Sequence, residues 1–98
     1  MDYTVTVARE FEELMPAFLE NRRKELAALR AAMSSDDFEG LRLLGDRMKG
    51  IGNSYGFARV SSIGKLIEAS ALGADRTALR VLVAQYEDYL AKVRVAFE

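Results

Sequence analysis

Asp46 is the residue of this chain best placed for chemistry, because of the side chains that share its helical face. Residues three, four and seven positions from it on a helix lie on one side, and these are Glu39, Arg42, Lys49, Gly50 and Asn53. A carboxylate can in principle accept a phosphoryl group, as in some ATPases. Such sites bind Mg²⁺ through clustered acids, whereas this face supplies only Glu39. We therefore expect Asp46 to form solvated ion pairs with Arg42 and Lys49.

Two residue types that carry much of protein chemistry are absent, since the chain has no histidine and no cysteine. Their absence excludes imidazole as a metal ligand, general base or phosphate acceptor. It also excludes disulfides, thiolate metal sites and cysteine nucleophiles. The sequence has no Walker-type phosphate loop and no cluster of acids on one predicted face. We therefore predict that the protein is not an enzyme and that it binds no metal and no cofactor.

The composition predicts one small domain. Its 98 residues suffice for a single core, so we predict one domain over residues 1–98. A formal net charge of −1 provides no overall field for nucleic acid or an anionic membrane, and we predict neither as a partner. The basic run at residues 22–24 is interpreted as a solvated helix face or as charge facing an acidic partner. No apolar run approaches the ~20 residues that span a bilayer, and no signal peptide is recognised, so we expect a cytoplasmic protein.

Apolar residues recur at helical spacing through most of the sequence. They predict a short first helix that ends near Met15, after which Pro16 opens the second helix. Gly73 is predicted at the C′ position of the fourth helix, and Asp75 is predicted to cap the fifth. The four long helices are expected over residues 17–33, about 36–55, roughly 58–72 and 76 to about 97.

Four long helices joined by short turns predict an all-α fold. We expect an up-down-up-down antiparallel four-helix bundle, with the short first helix capping one end. Only Tyr3 to Val7 shows an alternation of apolar and polar residues that is typical of a strand. Because many unrelated activities use such bundles, the fold alone does not predict a function.

The predicted third helix, residues 36–55, is unusual in its glycines, since each one inside a helix costs roughly 1 kcal/mol relative to alanine. The core stripe of this helix is Leu41, Leu44, Met48, Ile51 and Tyr55. Gly50 lies away from that stripe, beside Asp46 and Lys49, where bare backbone would let another protein approach closely. A structural explanation is also open, because glycines such as Gly52 and Gly56 often mark tight helix contacts. A lysine beside an aspartate is in most cases a solvated pair of little energetic value.

The order of residues in LGDRMKGIGNSYGF, residues 44–57, resembles the signature of histidine phosphotransfer (HPt) domains. In that family His-x-x-Lys-Gly is followed by a further glycine, and Lys49, Gly50 and Gly56 match this pattern. The residues at 53, 54 and 57 are also usual for the family. The resemblance extends over most of the chain, roughly from Val7 to Phe97.

One position departs from the HPt pattern, because Asp46 stands where the family carries its phosphorylated histidine. The resemblance implies a signalling domain of a two-component phosphorelay that binds the receiver domain of a response regulator or a hybrid histidine kinase. In the family the lysine balances the phosphate charge and the glycine makes room for the receiver. The partner surface is therefore predicted on the third helix, with a rim near Asn21 and Arg22, and its residues are Arg42, Asp46, Lys49, Gly50, Asn53 and Gly56.

Several interpretations of the chain remain open. It is either a natural pseudo-phosphotransfer domain or a His-to-Asp variant of an active one, and both predict a monomer that binds receivers without passing phosphate. The alternative is a structural or oligomerisation module whose glycine-rich face packs against another copy. Self-association without any receiver would distinguish that alternative from the signalling interpretation.

Overall fold

The computed structural model describes residues 3–98, most of which lie in four helices. In chain order the elements are β1 (Thr4–Val7), a 3₁₀ helix (Arg9–Leu14), α1 (Met15–Ser34), α2 (Phe38–Ser54), α3 (Ala58–Leu72), α4 (Arg76–Lys92) and β2 (Arg94–Phe97). The four predicted long helices are present, and α3 has the predicted bounds. The short first helix is a 3₁₀ helix, and it ends one residue before Met15.

Short-range capping chemistry determines where the helices begin. Pro16 lies in the first turn of α1, where its missing N–H would have had no helical acceptor. The carboxylate of Asp37 accepts a hydrogen bond from the Gly40 N–H at 2.8 Å, which caps α2. Asp75 caps α4 in the same way by accepting from the Ala78 N–H at 3.1 Å. The predicted cap at Asp75 is thus confirmed.

The turns between helices use left-handed backbone at three positions. Gly56 adopts a φ of +84° after α2, while Asp36 and Ala74 adopt φ values of +53° and +50°. The prediction that Gly73 would occupy the left-handed position after α3 is wrong by one residue, because Gly73 has a φ of −89°. Ala74 makes that turn instead, and its N–H donates to the Ala71 carbonyl at 3.1 Å.

The end of the chain corrects the predicted last helix. We expected this helix to continue to about Phe97, whereas α4 ends at Lys92 and β2 follows it. β2 pairs in parallel with β1, so that Thr4 lies opposite Arg94 and Val7 lies opposite Phe97. The protein is therefore mostly helical with a small parallel strand pair, and the all-α prediction omits that pair.

The side-chain pattern of the last residues explains why they leave the helix. Val93, Val95 and Phe97 are half-buried against the core, while Arg94 and Ala96 between them are exposed. This alternation of period two suits a strand with one buried face. The strand obtains its hydrogen bonds from β1, which lies at the other end of the sequence. The Arg94 N–H donates to the Tyr3 carbonyl at 3.2 Å.

The helices enclose one hydrophobic core. α1 and α3 each contact both α2 and α4, and the α2–α3 contact is the most extensive. Of the core stripe predicted on α2, Leu41 and Met48 are fully buried, whereas Leu44, Ile51 and Tyr55 are half-buried. None of the described helices is long and apolar enough to cross a membrane. The fully buried side chains of the core include Leu29, Leu41, Met48, Phe57, Ile67, Leu79 and Tyr86.

Candidate functional site

The outer face of α2 carries most of the residues that the sequence predicts as a partner surface. The side chain of Asp46 is 56% exposed and that of Lys49 is 41% exposed, and their charged atoms lie 3.4 Å apart. Gly50 and Asn53 follow on the exposed side of the next turn. Gly56 lies beyond the end of α2, at the left-handed position of the turn into α3.

Lys49 is held between two carboxylates that belong to different helices. Its Nζ donates a hydrogen bond to Oε1 of Glu68 at 2.9 Å and lies 3.4 Å from Oδ1 of Asp46. The Glu68 carboxylate, and after it the Asp46 carboxylate, raises the pKa of Lys49 above its usual value. The ammonium is therefore directed toward α3, on one side of Asp46.

Glu68 is the member of this site that the sequence analysis missed. It lies on α3, and its side chain is only 21% exposed, so it is more enclosed than Asp46 or Lys49. A helical wheel of α2 cannot include it, because the wheel relates only residues of a single helix. The helical stripe of α3 predicts which side of that helix is buried, but not which residue of α2 lies opposite Glu68.

Arg42 corrects one expected contact of Asp46. Its guanidinium forms two hydrogen bonds with Glu39, at 2.6 and 3.0 Å, and no ion pair with Asp46 is formed. Pairing with Glu39 raises the pKa of Arg42, and it lowers the pKa of the Glu39 carboxyl. Of the two expected partners of Asp46, only Lys49 is therefore in contact with it.

Three glycines allow α2 and α3 to approach each other at the back of this face. A Cβ atom on Gly45 would lie 2.6 Å from the backbone nitrogen of Glu68. One on Gly64 would lie 2.7 Å from the carbonyl oxygen of Gly45, and one on Gly52 would lie 2.6 Å from the backbone nitrogen of Ser61. These distances leave no room for a side chain, so the three glycines are needed for the close contact between α2 and α3. Gly52 therefore marks a tight helix contact, as the structural explanation expected, whereas Gly56 makes no such contact.

Gly50 differs from the other glycines of α2. A Cβ atom built on it would meet no other atom within 4 Å, so no contact within the protein requires a glycine at this position. The open backbone lies directly after Lys49 and one turn beyond Asp46. This part of α2 is therefore accessible to an approaching molecule.

Arg22 does not lie on the exposed rim where the sequence analysis placed it. Its side chain is 9% exposed, and its guanidinium lies over the Phe18 ring, 4.9 Å from the ring centroid. Its Nε lies 3.3 Å from Oε1 of Glu25, and the same carboxylate accepts a hydrogen bond from the Tyr86 hydroxyl at 2.7 Å. Burial raises the pKa of Glu25, and the bond from Tyr86 opposes that shift less strongly. Asn21, the other rim residue, is exposed as expected.

The donor set around Asp46 defines what the site can do chemically. Within residues 3–98, no group of three or more histidine, cysteine, aspartate or glutamate side chains is placed to hold a metal ion. Asp46 and Glu68 share Lys49, whose ammonium occupies the space between them. The face therefore presents an ion-paired group of one ammonium and two carboxylates.

Comparisons of the chain with known proteins found no match. No family model, no curated protein and no solved structure corresponds to it.

Proposed function

We propose that the protein is an HPt-like signalling domain of a two-component phosphorelay. In this proposal α2 binds the receiver domain of a response regulator or a hybrid histidine kinase, and no phosphate is transferred because Asp46 replaces the phosphoacceptor histidine. The observation that carries the proposal is the exposed sequence of Asp46, Lys49 and Gly50 on one face of α2. Gly50 provides open backbone there and makes no contact that a glycine would be needed for.

The finer features of the fold belong to the same proposal. We expect the four helices to alternate in direction as an up-down-up-down bundle, with the 3₁₀ helix closing one end. The ring contact between Phe11 and Tyr55, whose centroids are 5.4 Å apart, supports the latter feature because it links that segment to the end of α2. The domain would act in the cytoplasm as a monomer and without a cofactor.

The charges of α2 support encounter with an acidic partner. Lys49 and Arg42 present cations on the exposed side of α2, although each is already paired with a carboxylate. The receiver domains that bind the family this chain resembles carry an acidic phosphorylation pocket. Association should therefore be faster at low ionic strength, because exposed charges are screened over about 8 Å at physiological salt.

Restoring the missing nucleophile tests the proposal. Asp46→His changes an exposed side chain, so the free energy of unfolding should change by no more than about 0.5 kcal/mol. The new imidazole would lie one turn from Lys49 and beside the open backbone of Gly50. The variant should then take radiolabelled phosphate from a phosphorylated cognate receiver, while the Asp46 protein takes none.

Binding is measured separately, by amide chemical shifts of the unmodified protein titrated with a panel of receivers. Perturbations should centre on residues 42–53, and Gly50→Gln should weaken binding while leaving the fold intact. Gly50→Ala serves as the small-residue control. Perturbations confined to α4, or no binding by either the unmodified protein or the Asp46→His variant, would contradict the proposal. Self-association without a receiver would instead support an oligomerisation module.

A further inference from the structure

A second candidate site lies between α1 and α2, away from the face that carries Asp46. It is a cleft of about 320 Å³, and the residues of interest in its lining are Arg22, Lys24, Glu25, Ala28, Leu44 and Arg47. Positions 46 and 47 of α2 point about 100° apart around the helix axis. The cleft is therefore adjacent to the Asp46 face and separate from it.

Arg22 gives this cleft an unusual feature. The Nε and Nη1 atoms of its guanidinium are buried and make no hydrogen bond to any residue in 3–98. The 3.3 Å approach of Nε to Glu25 is an ion pair that lacks hydrogen-bond geometry. Leaving such donors unsatisfied is costly in a protein interior, and the cost is larger for a charged group. Both atoms are shielded from solvent, so a ligand oxygen could accept from them, and remove part of that cost, after a shift of the guanidinium toward the cleft.

Cations outnumber carboxylates around the cleft. Arg22, Lys24 and Arg47 contribute three positive charges, whereas Glu25 contributes the only carboxylate of the lining. The Glu25 carboxylate is already engaged by the hydroxyl of Tyr86 and by Arg22. Lys24 and Arg47 form no salt bridge with residues 3–98, although Arg47 is near enough to Glu25 to oppose the rise in the pKa of that carboxyl. The lining therefore has an unbalanced positive charge, part of it on a guanidinium with free donors.

The cleft continues along the two helices into a region with an apolar middle, which Ser35 and Asp37 close at the far end. A neighbouring cleft of about 410 Å³ shares Ala28, Leu44 and Arg47 with it and extends past Ala31 and Leu43. Small side chains on α1 leave this groove open, and two leucines of α2 form its other wall. A ligand that filled both parts would need an anionic end and an apolar body.

We propose that the α1–α2 cleft binds a phosphate monoester with a small apolar organic group. The phosphate would accept hydrogen bonds from Arg22, Lys24 and Arg47, and the organic group would lie over Ala28 and Leu44. A phosphate fits better than a carboxylate because it offers three free oxygens to three separate cations and carries up to two negative charges. The proposal does not depend on receiver binding. None of these residues is among the predicted partner-surface residues of α2, and Arg22, which was expected at the rim of that surface, is buried.

Titration of the ¹⁵N-labelled protein with phenyl phosphate tests this site. Saturable amide shifts are expected at residues 22–28 and 44–47, with weaker binding of benzoate and of inorganic phosphate. Benzoate presents a carboxylate on the same ring, and inorganic phosphate lacks the apolar group. Phenyl phosphate should also raise the melting temperature, because a ligand that binds only the folded state stabilises it.

Arg47→Gln is the informative variant, because Arg47 is exposed whereas replacing buried Arg22 endangers the fold. It should weaken phenyl phosphate binding about tenfold, the effect of losing one charge-assisted hydrogen bond. Arg23→Gln is the matched control, since it removes the same charge from an exposed position that lies outside the cleft. Its affinity should stay within about twofold of the unmodified protein, as expected for a distant solvated charge.

Three results would overturn the proposal. One is the absence of saturable shifts in the α1–α2 cleft. Another is an equal loss of affinity in Arg47→Gln and Arg23→Gln, which would indicate attraction by overall charge alone. The third is binding of benzoate as tight as that of phenyl phosphate, which would assign the cleft to carboxylates.

Discussion

At the scale of single residues, Lys49 shows how a side chain is positioned by two helices. The sequence places it beside Asp46, and the fold adds Glu68 from α3 as its hydrogen-bond partner at 2.9 Å. The backbone of Lys49 is also bound to α3, because the Ser61 hydroxyl donates a hydrogen bond to the Lys49 carbonyl at 2.8 Å. Lys49 is thus bound to α3 through two of its atoms, the side-chain Nζ and the backbone carbonyl oxygen.

The glycines of α2 provide a prediction at this scale. Gly45→Ala should lower the free energy of unfolding by about 1–3 kcal/mol, because its Cβ would press on the backbone of Glu68 and the helices would have to separate. Gly50→Ala should be neutral or stabilise the protein by up to about 1 kcal/mol, because alanine favours the helix and its Cβ enters open space. Urea unfolding of both variants measures the difference. Destabilisation by Gly50→Ala would mean that Gly50 is also packed against another element.

At the scale of elements, the parallel pair of β1 and β2 is the feature that departs most from a simple bundle. The two strands are four residues each and come from opposite ends of the chain. An isolated pair of this size is marginal in water, so it depends on packing against the core. Val7 of β1 is buried, and Val95 of β2 is half-buried on the same core. The helices therefore stabilise the strands.

Aspartate at two adjacent positions of β2 tests that dependence. Val95→Asp should reduce the free energy of unfolding by about 1–3 kcal/mol, because it removes apolar burial and places a charge against the core. Ala96→Asp is the matched control, with the same new residue on the exposed side of the strand, and should cost less than about 1 kcal/mol. Thermal unfolding followed by circular dichroism reports both values. Equal losses would indicate that β2 does not hold Val95 against the core.

At the scale of the whole molecule, a buried polar contact joins the first and last long helices. The Tyr86 hydroxyl on α4 donates to Oε1 of Glu25 on α1 at 2.7 Å. Burial and the neighbouring carboxylate raise the pKa of Tyr86, so this hydroxyl keeps its proton at any physiological pH. On the surface, Arg30 of α1 also pairs with Glu87 of α4. These contacts close the ring of helices that begins with the α1–α2 contact.

Two tyrosines of α4 allow the contribution of the Tyr86–Glu25 hydrogen bond to stability to be measured. Tyr86→Phe should lower the free energy of unfolding by about 1.5–3 kcal/mol, because a buried carboxylate loses a hydrogen-bond donor. Tyr89→Phe removes a buried hydroxyl that makes no hydrogen bond with the described residues, so it should be neutral within about 0.5 kcal/mol or stabilising. Both variants retain the aromatic ring, and chemical denaturation compares them. If the two changes cost the same, the Tyr86–Glu25 bond makes no specific contribution.

The sequence by itself determined the features that depend on neighbours along the chain. Apolar spacing, Pro16 and the cap at Asp75 predicted four long helices, and helical geometry predicted that Asp46, Lys49, Gly50 and Asn53 share an exposed face. These predictions succeeded because capping bonds and helical faces involve residues within a few positions of one another.

Only the tertiary structure decided the features that join distant parts of the chain. The pairing of β1 with β2 depends on hydrogen bonds between the two ends of the sequence, so residues 94–97 taken alone continued the helical pattern. The burial of Arg22 depends on its position over Phe18, and the ion pair of Lys49 with Glu68 depends on how closely α2 and α3 approach. Contacts of this kind follow from the relative placement of whole elements, which the periodicity of one helix does not contain.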